Sequence, residues 1–472
     1  MDYRKFCKSL QVCGLISSLV LSACSVNPAT GRNQFTGLMP AESEAQVGAS
    51  QHEEIVKQYG GLYKDQKLQN YVSSVGSKVA KNTERADVSY QFFVLDSPVV
   101  NAFALPGGYV YITRGLLAVA NDEAELAGVL GHEIGHVTGR HSAARYSQSV
   151  LTGLGTTLLG AYIGNSAVTQ MLDVGNNLYV SSYSRDQETE ADVLGIRYLD
   201  RAGYDPKAVS DFLAAMDQYQ VSQSGKEEKT ETPNFFATHP QTAGRVAAAS
   251  ADAAKYPENA KERGTGAYLA AIDGMTYGDS PEQGFVRGTN FYHPVLGFTF
   301  SVPQGYKIQN SPEQIVASKS GAALIVVDQV KANTADPAAY IMYDWLQGKR
   351  QLTPEKVTIN GHDAATASFD TTLNGAPITL RLVAISWGGG SVFRMQFAIP
   401  KNLPAQEVEA LKATTYSLRN LSANEITGLK TEKIRIVDGT QIGQMTPLIR
   451  ALNNLKANEN AAAGRKYKIV VE

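Results

Sequence analysis

The stretch His132-Glu133-Ile134-Gly135-His136 decides how this chain is interpreted, because it has the spacing of two metal ligands on one helix face. Residues four apart on a helix are neighbours, with about 5–6 Å between Cβ atoms, so two imidazoles can hold one cation. Glu133, beside them, can take a proton from water on the same ion. Asp122 and Glu125 match the capping box that begins a helix, and residues 124–137 are otherwise largely apolar. We therefore predict a buried helix that carries half of a zinc site.

The motif alone does not establish a metal site. Patterns of two histidines and one glutamate also occur by chance in proteins that bind no metal. Gly131 and Gly135 each weaken a helix by about 1 kcal/mol relative to alanine, so their presence indicates close approach by another element or a ligand. A third ligand is needed to decide between the two interpretations.

Two downstream patterns are candidates for the third ligand. The metzincin pattern requires a histidine at position 142, which is serine here, and His141 is out of register by one residue. The second candidate is a carboxylate from a separate helix, which the apolar pattern predicts over residues 185–199. Glu188 and Asp192 are four apart on that helix and share a face. We assign Glu188 as the third ligand and Asp192 as the acceptor of a ring N–H from a ligating histidine.

The same helix also allows a plainer interpretation. Glu190 is rotated away from Glu188 and is predicted to be solvated. Runs of charge usually form a solvated helix surface with nothing to bind. The position of the Glu188 carboxylate relative to the paired histidines therefore decides the assignment.

Taken together, these segments resemble the HtpX and CAAX-prenyl-protease family of zinc metallopeptidases, in its periplasmic lipoprotein branch. The resemblance covers about residues 27–279, and it also rests on Ser184-Arg185 and on Asn101-Ala102-Phe103-Ala104-Leu105-Pro106-Gly107-Gly108. It implies a mostly α gluzincin domain with a small sheet, and one Zn²⁺ per chain held by His132, His136 and Glu188. The implied reaction is hydrolysis of peptide bonds by a zinc-activated water, with Glu133 as general base.

The resemblance also implies roles for residues around the open metal position. His239 is implied to be a latch or fourth ligand that keeps the enzyme latent, since the polar stretch 223–233 before it is loop-like. The alternative is a structural histidine held by backbone beside a turn. Arg245 is implied either to orient this loop or to stabilise the oxyanion, and the sequence does not separate these roles.

A short sheet is predicted next to the motif helix. Residues 110–113 have the composition of a strand. An edge strand that includes Asn101, Ala102 and Phe103 is expected to hold an extended substrate by adding it to the sheet, which favours unfolded segments.

The first residues predict export. Three basic residues precede a short apolar core at 12–23, which has the layout of a signal peptide and is too short to span a bilayer. Leu21-Ser22-Ala23-Cys24 resembles the bacterial lipobox, so we expect lipidation of Cys24 and an anchor on the periplasmic side of the outer membrane. The alternative is a plain signal peptide with a chance cysteine. All three cysteines lie in this region, which predicts a mature protein without disulfides.

The remaining composition bounds the architecture. With 472 residues, 43% hydrophobic and 19% charged, the chain is globular and long enough for several domains. With a net charge of −2, the chain lacks the excess of positive charge that is typical of proteins that bind nucleic acid. Polar residues interrupt the apolar stretch 151–180, which we interpret as helices folded over the active site and not as a membrane span.

We predict an α+β chain with four segments. They are a lipoprotein signal peptide at 1–24, a zinc metalloprotease domain at 25–279, an antiparallel α+β domain at 285–422 and a small β-α-α-β module at 428–472. Amphipathic helices are expected at residues 42–59, 68–82, 207–219 and 243–254. Asn374-Gly375 is a strong hairpin turn, whereas His293 and His362 lack acidic or thiol partners and are expected to be structural.

The two C-terminal segments carry only weak resemblances. Residues 285–422 resemble the PsbP and Mog1-like sandwiches, which says nothing about function. Residues 428–472 resemble a degenerate LysM module, a binder of peptidoglycan, although a structural cap is an equal alternative.

Two functions follow from this organisation. The first is a lipid-anchored periplasmic zinc endopeptidase that acts on misfolded or envelope proteins. The alternative is a latent or non-catalytic envelope adaptor or chaperone that binds proteins or peptidoglycan through its C-terminal domains. The intact set of His132, Glu133, His136 and Glu188 argues against an inactive enzyme.

Overall fold

The chain divides into two compact units in this computed structural model. Unit 1 comprises Met1–Val56, Gly61–Met275 and Lys433–Val471, and unit 2 comprises Lys57–Gly60, Thr276–Glu432 and Glu472. The structure describes residues 24–85, 87–149, 183–224, 235–239, 244–257, 262–373 and 375–472. The predicted signal peptide, apart from Cys24, and the predicted helices at 151–180 lie outside the described residues. Both helices and several sheets are present, which confirms the mixed α+β class.

Unit 1 is mostly helical. Its helices are α1 (Ala41–Gln58), α2 (Gln66–Ala80), α3 (Arg114–Val119), α4 (Glu123–Thr138), α5 (141–149), α6 (Arg185–Arg201), α7 (Ala208–Ser224), α8 (Phe235–Thr238), α9 (Arg245–Ala253) and α10 (Thr265–Ile272). The four predicted amphipathic helices correspond to α1, α2, α7 and α9, with ends that differ by a few residues.

The beginning of α4 shows how the sequence starts the motif helix. The Asp122 side chain accepts a hydrogen bond from the Glu125 N–H at 2.9 Å, as an N-cap does. The Glu125 carboxylate accepts from the N–H of Asn121 at 2.8 Å, one residue earlier than a capping box requires. Helix α6 begins with a full capping box between Ser184 and Gln187. Local polar contacts therefore fix the first turn of both helices.

Helices α4 and α6 pack at very short range. A Cβ added at Gly135 would lie 3.1 Å from the Ala191 carbonyl oxygen, and one at Gly195 would lie 3.1 Å from the backbone nitrogen of His132. At Gly131 it would lie 3.2 Å from Leu199. The close approach inferred from Gly131 and Gly135 is thus made by α6.

A three-stranded sheet lies beside these helices. Its strands are β3 (Gln91–Leu95), β4 (Ala102–Leu105) and β5 (Tyr109–Thr113), in the order β3-β5-β4. Because β5 pairs with β3 in parallel and with β4 antiparallel, residues 110–113 form the centre of the sheet. The edge position belongs to β4, which contains Ala102 and Phe103 and begins one residue after Asn101.

The described chain begins with a hairpin. Strand β1 (Cys24–Val26) pairs antiparallel with β2 (Asn33–Phe35), with Cys24 opposite Phe35. Residue 24 is therefore already part of ordered structure in unit 1. Among the described residues, we find no helix with both the length and the apolar character needed to cross a bilayer.

The C-terminal segment belongs to unit 1. It contains β18 (Glu432–Asp438), a 3₁₀ turn (Gly439–Gln441), one helix, α14 (Pro447–Leu452), and β19 (Lys466–Val471), which pairs antiparallel with β18. Lys468 is fully buried, and its Nζ donates to the carbonyls of Ala118, Val119 and Ala120 at 2.9, 3.1 and 2.6 Å. We predicted a module of its own with two helices. The structure instead shows a segment that is integrated into unit 1 through these contacts, and a LysM-like fold stays a prediction.

Unit 2 is built on a seven-stranded antiparallel sheet in the order β10-β11-β12-β16-β15-β14-β13. Its strands are β10 (Lys307–Asn310), β11 (Ile315–Ser318), β12 (Leu324–Lys331), β13 (Glu355–Ile359), β14 (His362–Leu373), β15 (Ala376–Trp387) and β16 (Ser391–Pro400). Leu373 pairs with Ala376 and Gly375 has φ +80°, so the predicted hairpin turn joins β14 and β15.

The other elements of unit 2 are shorter. They are β6 (Thr276–Tyr277), β7 (Phe285–Arg287), β8 (Asn290–His293), β9 (Phe298–Ser301), β17 (Arg419–Asn420), α11 (Pro337–Ala339) with a π-helix (Tyr340–Trp345), α12 (Ala405–Ser417) and α13 (Ala423–Gly428). A second sheet contains strands β7, β8, β9 and β17. Buried hydrophobic side chains form two separate clusters, one that includes Phe393 and one that includes Ile341. His293 accepts from the Leu296 N–H and His362 stacks on Trp387, as expected of structural histidines.

Candidate metal centre

The two histidines of the motif converge at one point on α4. His132 and His136 are buried, and their Nε2 atoms lie 3.0 Å apart. Both rings use Nδ1 for other contacts, so both present Nε2 to the same space. This is the arrangement that the four-residue spacing predicts.

The Glu188 carboxylate faces this pair from α6. Its oxygens lie 3.7 Å from Nε2 of His132 and 3.6 Å from Nε2 of His136, and the residue is 1% exposed. The alternative of a solvated helix surface is therefore wrong for Glu188. Close packing of α4 on α6 brings together two segments that are more than fifty residues apart in sequence.

His239 supplies a fourth donor. Its Nδ1 lies 3.2 Å from Nε2 of His132 and 3.0 Å from Oε1 of Glu188. Ligand atoms of His132, His136, Glu188 and His239 all lie within 4.8 Å of one another. His239 directly follows α8, where its N–H donates to the Phe235 carbonyl at 2.7 Å. The neighbouring residues 225–234 and 240–243, including most of the predicted loop, lie outside the described part of the chain.

Glu133 is fully buried beside this cluster. Its Oε1 is 3.3 Å from Nε2 of His239, but within the described residues no hydrogen-bond donor is aligned with either carboxylate oxygen. Burial raises the pKa of Glu133, although the charges of His239 and His132 oppose this effect. A buried carboxylate with a raised pKa and open lone pairs is equipped to accept and release a proton.

Asp192 and Arg245 form a layer behind the donors. Asp192 Oδ1 is 2.8 Å from Nδ1 of His132, as predicted for the acceptor of its ring N–H. Arg245 donates to both oxygens of Asp192 at 2.8 and 2.9 Å, and its Nη1 lies 2.8 Å from Oε2 of Glu188. Burial disfavours the charged form of Asp192, but the hydrogen bond from His132 and the Arg245 guanidinium outweigh it and lower the pKa of Asp192 to about 2.

These contacts bear on the role of Arg245. Its guanidinium is buried and engaged with the two carboxylates that face the histidines. The geometry favours a role in orienting Glu188 and Asp192, which was not among the two alternatives that the sequence suggested.

The sequence did not predict the contacts of three further residues near the site. His141 Nδ1 lies 2.8 Å from Nδ1 of His136, so the histidine rejected as a ligand is a partner of a ligand candidate. Tyr183 stacks on the His136 ring with centroids 3.7 Å apart. Glu190 was predicted to be solvated, which is wrong, because residues of the N-terminal segment cover it and leave it 9% exposed.

The predicted substrate strand lies close to the His239 segment. The Val100 carbonyl accepts from the Phe235 N–H at 2.9 Å, and the Asn101 side chain accepts from Thr238 at 3.4 Å. Asn101, Ala102 and Phe103 are all buried, at 0, 0 and 5% exposure. Substrate binding by this strand stays a prediction.

The donor set fits a divalent zinc ion. Zinc takes imidazole nitrogen and carboxylate oxygen in a tetrahedral arrangement, with Zn–N of about 2.0–2.1 Å, which places two ligating nitrogens about 3.3 Å apart. The 3.0 Å separation of the two Nε2 atoms is close to that value. Two nitrogens with lone pairs pointing at one buried space, next to two carboxylates, are best satisfied by a cation.

Comparison with known proteins agrees with this geometry. Residues 66–253 match the profile of Peptidase family M48. The chain carries an M48 peptidase domain. The predicted family is thereby confirmed for this part of the chain. The M48 domain contains the motif helix, Glu188, Asp192, His239 and Arg245.

Curated relatives share this part of the chain. The chain is 32% identical over 197 residues to the beta-barrel assembly-enhancing protease of Escherichia coli (strain K12), covering 39% of each chain. It is 32% identical over 203 residues to a putative protein of that name from Vibrio cholerae, covering 41% of this chain and 40% of that one. The mitochondrial metalloendopeptidase OMA1 of Schizosaccharomyces pombe is 28% identical over 225 residues, covering 46% and 63%.

These matches are limited to part of each protein. The chain spans about two fifths of the length of the bacterial relatives. A solution structure of PsbP from Synechocystis sp. PCC 6803 covers 30% of this chain and 98% of that protein, at 9% identity and a TM-score of 0.23. A score this low supports no conclusion, so the PsbP-like assignment of residues 285–422 stays a prediction.

Proposed function

We propose that this protein is a zinc-dependent endopeptidase. The observation that carries the proposal is the convergence of His132, His136, Glu188 and His239 within 4.8 Å, beside the buried Glu133 carboxylate. Three or four such donors, with an adjacent carboxylate able to move a proton, are the parts of a gluzincin active site.

The residues of the site divide the work of hydrolysis. His132, His136 and Glu188 would hold the ion, which supplies Lewis-acid chemistry toward water and the scissile carbonyl. Glu133 accepts the proton of the attacking water and passes it to the leaving amine nitrogen. Asp192 keeps the proton of His132 on Nδ1, so that Nε2 is available as a ligand. Arg245 holds Glu188 and Asp192 in place by charge-assisted contacts.

His239 is proposed to keep the enzyme latent. Its imidazole lies against Glu188 and Glu133, in the space that a substrate carbonyl would need next to the base. A fourth protein ligand closes a zinc site, whereas a catalytic site keeps one position open. Cleavage therefore requires His239 to move, and His239→Ala is expected to raise basal activity.

The compartment and substrates are proposed from the sequence together with the relatives. Lipidation at Cys24 would anchor the protein to the periplasmic side of the outer membrane. We propose envelope proteins, in misfolded or incompletely assembled form, as the substrates. The names of the relatives, beta-barrel assembly-enhancing proteases, support this proposal. Mass spectrometry of the N-terminal peptide from bacterial membranes tests the anchor, and an unmodified Cys24 would contradict it.

Metal content and cleavage of an unfolded protein test the proposed reaction. We expect purified protein to contain one zinc ion per chain and to cleave casein, most clearly in a His239→Ala background. Adding Glu133→Gln should abolish cleavage and leave zinc bound, whereas adding Glu53→Gln, at an exposed position on α1, should change neither. Full cleavage in the Glu133→Gln variant, or protein without zinc, would refute the proposal.

A further inference from the structure

Each motif histidine has a partner for its second ring nitrogen, and the two partners differ. Nδ1 of His132 contacts the Asp192 carboxylate directly, at 2.8 Å. Nδ1 of His136 contacts another imidazole, Nδ1 of His141, also at 2.8 Å. A neutral imidazole carries one proton, so this nitrogen–nitrogen contact is favourable only when one ring donates and the other accepts.

The role of His136 fixes the direction of that hydrogen bond. To bind an ion through Nε2, His136 must carry its proton on Nδ1 and donate it to His141. Nδ1 of His141 must then be bare, and its own proton must lie on Nε2. That atom is buried, makes no hydrogen bond among the described residues, and lies 3.7 Å from Oε1 of Glu190, slightly beyond hydrogen-bond range. The negative charge of Glu190 favours a proton on the near side of His141 and thus a bare Nδ1 on the far side.

Glu190 is itself held by residues of the N-terminal segment. The side chain of Asn27 donates to Oε1, as does the hydroxyl of Thr30 at 3.0 Å, and Arg32 lies 2.7 Å from Oε2. Asn27 is 1% exposed and also donates to the Gly139 carbonyl at 3.3 Å, where α4 ends. The loop between β1 and β2 therefore contacts both the end of the motif helix and the carboxylate behind His141.

We propose that His141 and Glu190 are positioning residues for the metal centre, and that residues 27–32 keep Glu190 in place. Glu190 sets the tautomer of His141, and His141 sets the tautomer and ring orientation of His136. The N-terminal hairpin loop is then a part of the metal centre. This inference rests on the proposed zinc site.

Zinc affinity of the full mature chain, measured by competition with a chelator, tests this relay, with the absorption spectrum of the Co²⁺-substituted protein as a second readout. Glu190→Gln and His141→Leu should each weaken zinc binding by about 10–100-fold, the range for lost partners of metal ligands. Glu84→Gln is the matched control, because Glu84 also binds residues of α6, Tyr198 at 2.6 Å and Arg201 at 2.9 Å, but lies outside the group of histidines at the site. The zinc affinity and the Co²⁺ spectrum of the Glu84→Gln variant should equal those of the unaltered protein.

A conservative variant separates positioning from folding. In His141→Asn the amide oxygen can accept from His136 without any choice of tautomer, so zinc binding should be largely retained. Adding Glu190→Gln to His141→Asn should then have no further effect, because the residue through which Glu190 acts is gone. Thr30→Val removes the hydroxyl that donates to Glu190 and should weaken zinc binding when position 141 is histidine, but should have no effect when it is asparagine.

Several results would overturn the relay. Unaltered zinc affinity in both Glu190→Gln and His141→Leu would do so, as would an equal effect of Glu190→Gln with histidine or asparagine at position 141. If His141→Leu does not fold, the Glu190→Gln and His141→Asn variants still decide. Failure of the unaltered protein to bind zinc would refute the proposed function as well, whereas full binding by every variant refutes this inference alone.

Discussion

Replacement of Lys468 by methionine tests whether the C-terminal strand is part of the M48-bearing unit. The ammonium group is buried and donates to three backbone carbonyls at the end of α3. The Val119 carbonyl also accepts from the Asn121 side chain at 3.2 Å. Among the described residues, the carbonyls of Ala118 and Ala120 accept only from Lys468. Methionine fills a similar volume but supplies no donor.

The expected loss of stability follows from these two carbonyls. Each buried acceptor left without a partner costs about 1–3 kcal/mol, and relief from burying an ammonium group offsets part of the sum. For two acceptors, less this offset, we expect the free energy of unfolding to fall by about 3 kcal/mol. For a unit of about 300 residues, that lowers the unfolding midpoint by about 5 °C. Circular dichroism during thermal unfolding of the full chain measures the shift.

Lys466→Met is the matched control for this experiment. It lies on the same strand, but its side chain is 58% exposed and its ion pair with Asp438 is long, at 3.8 Å. Such exposed pairs contribute little to stability, so the control should unfold close to the unaltered protein. Equal midpoints for Lys468→Met and Lys466→Met would refute the reasoning, because they would show that the buried contacts do not stabilise unit 1.

Three further substitutions probe the metal centre. Gly195→Val should push α6 away from α4, because even a Cβ at this position would lie 3.1 Å from the backbone nitrogen of His132. We expect the zinc content after dialysis to fall, and retention of one zinc ion per chain would contradict this. Arg245→Gln should leave Glu188 and Asp192 without their cation and cost about 3–5 kcal/mol, the usual loss for a broken buried ion pair; urea unfolding measures it, and a change below about 1 kcal/mol would show that the pairing is unimportant. Asp192→Leu has a similar volume but no acceptor for the His132 N–H, so zinc affinity should drop by about 10–100-fold in a chelator titration, while an unchanged affinity would exclude the assigned tautomer role.

The sequence predicted those parts of the site that local geometry determines. Spacing of four on a helix placed His132 with His136 and Glu188 with Asp192, and glycines in the motif indicated the close contact between α4 and α6. The helix boundaries followed from caps and apolar periodicity.

Contacts between distant segments could not be predicted in this way. Glu190 is rotated away from Glu188, but helix periodicity does not reveal that the loop after β1, some 160 residues earlier, covers that face. Lys466 and Lys468 are two apart on one strand and share a face by alternation, yet only Lys468 meets carbonyls of α3. Residues 110–113 were predicted as a strand, but the local pattern does not show which strands pair with it. Its central position in the sheet therefore could not be predicted.

The contact between α4 and α6 has a consequence for how this protein tolerates change. At Gly135 and Gly195 the nearest atoms of the facing helix belong to its backbone, which cannot repack after a substitution as a side chain can. The surrounding apolar residues can exchange for others of similar volume, because they touch neighbours that adjust. Among the positions that shape the donor geometry, the least replaceable beyond the ligands themselves are therefore residues with no side chain at all.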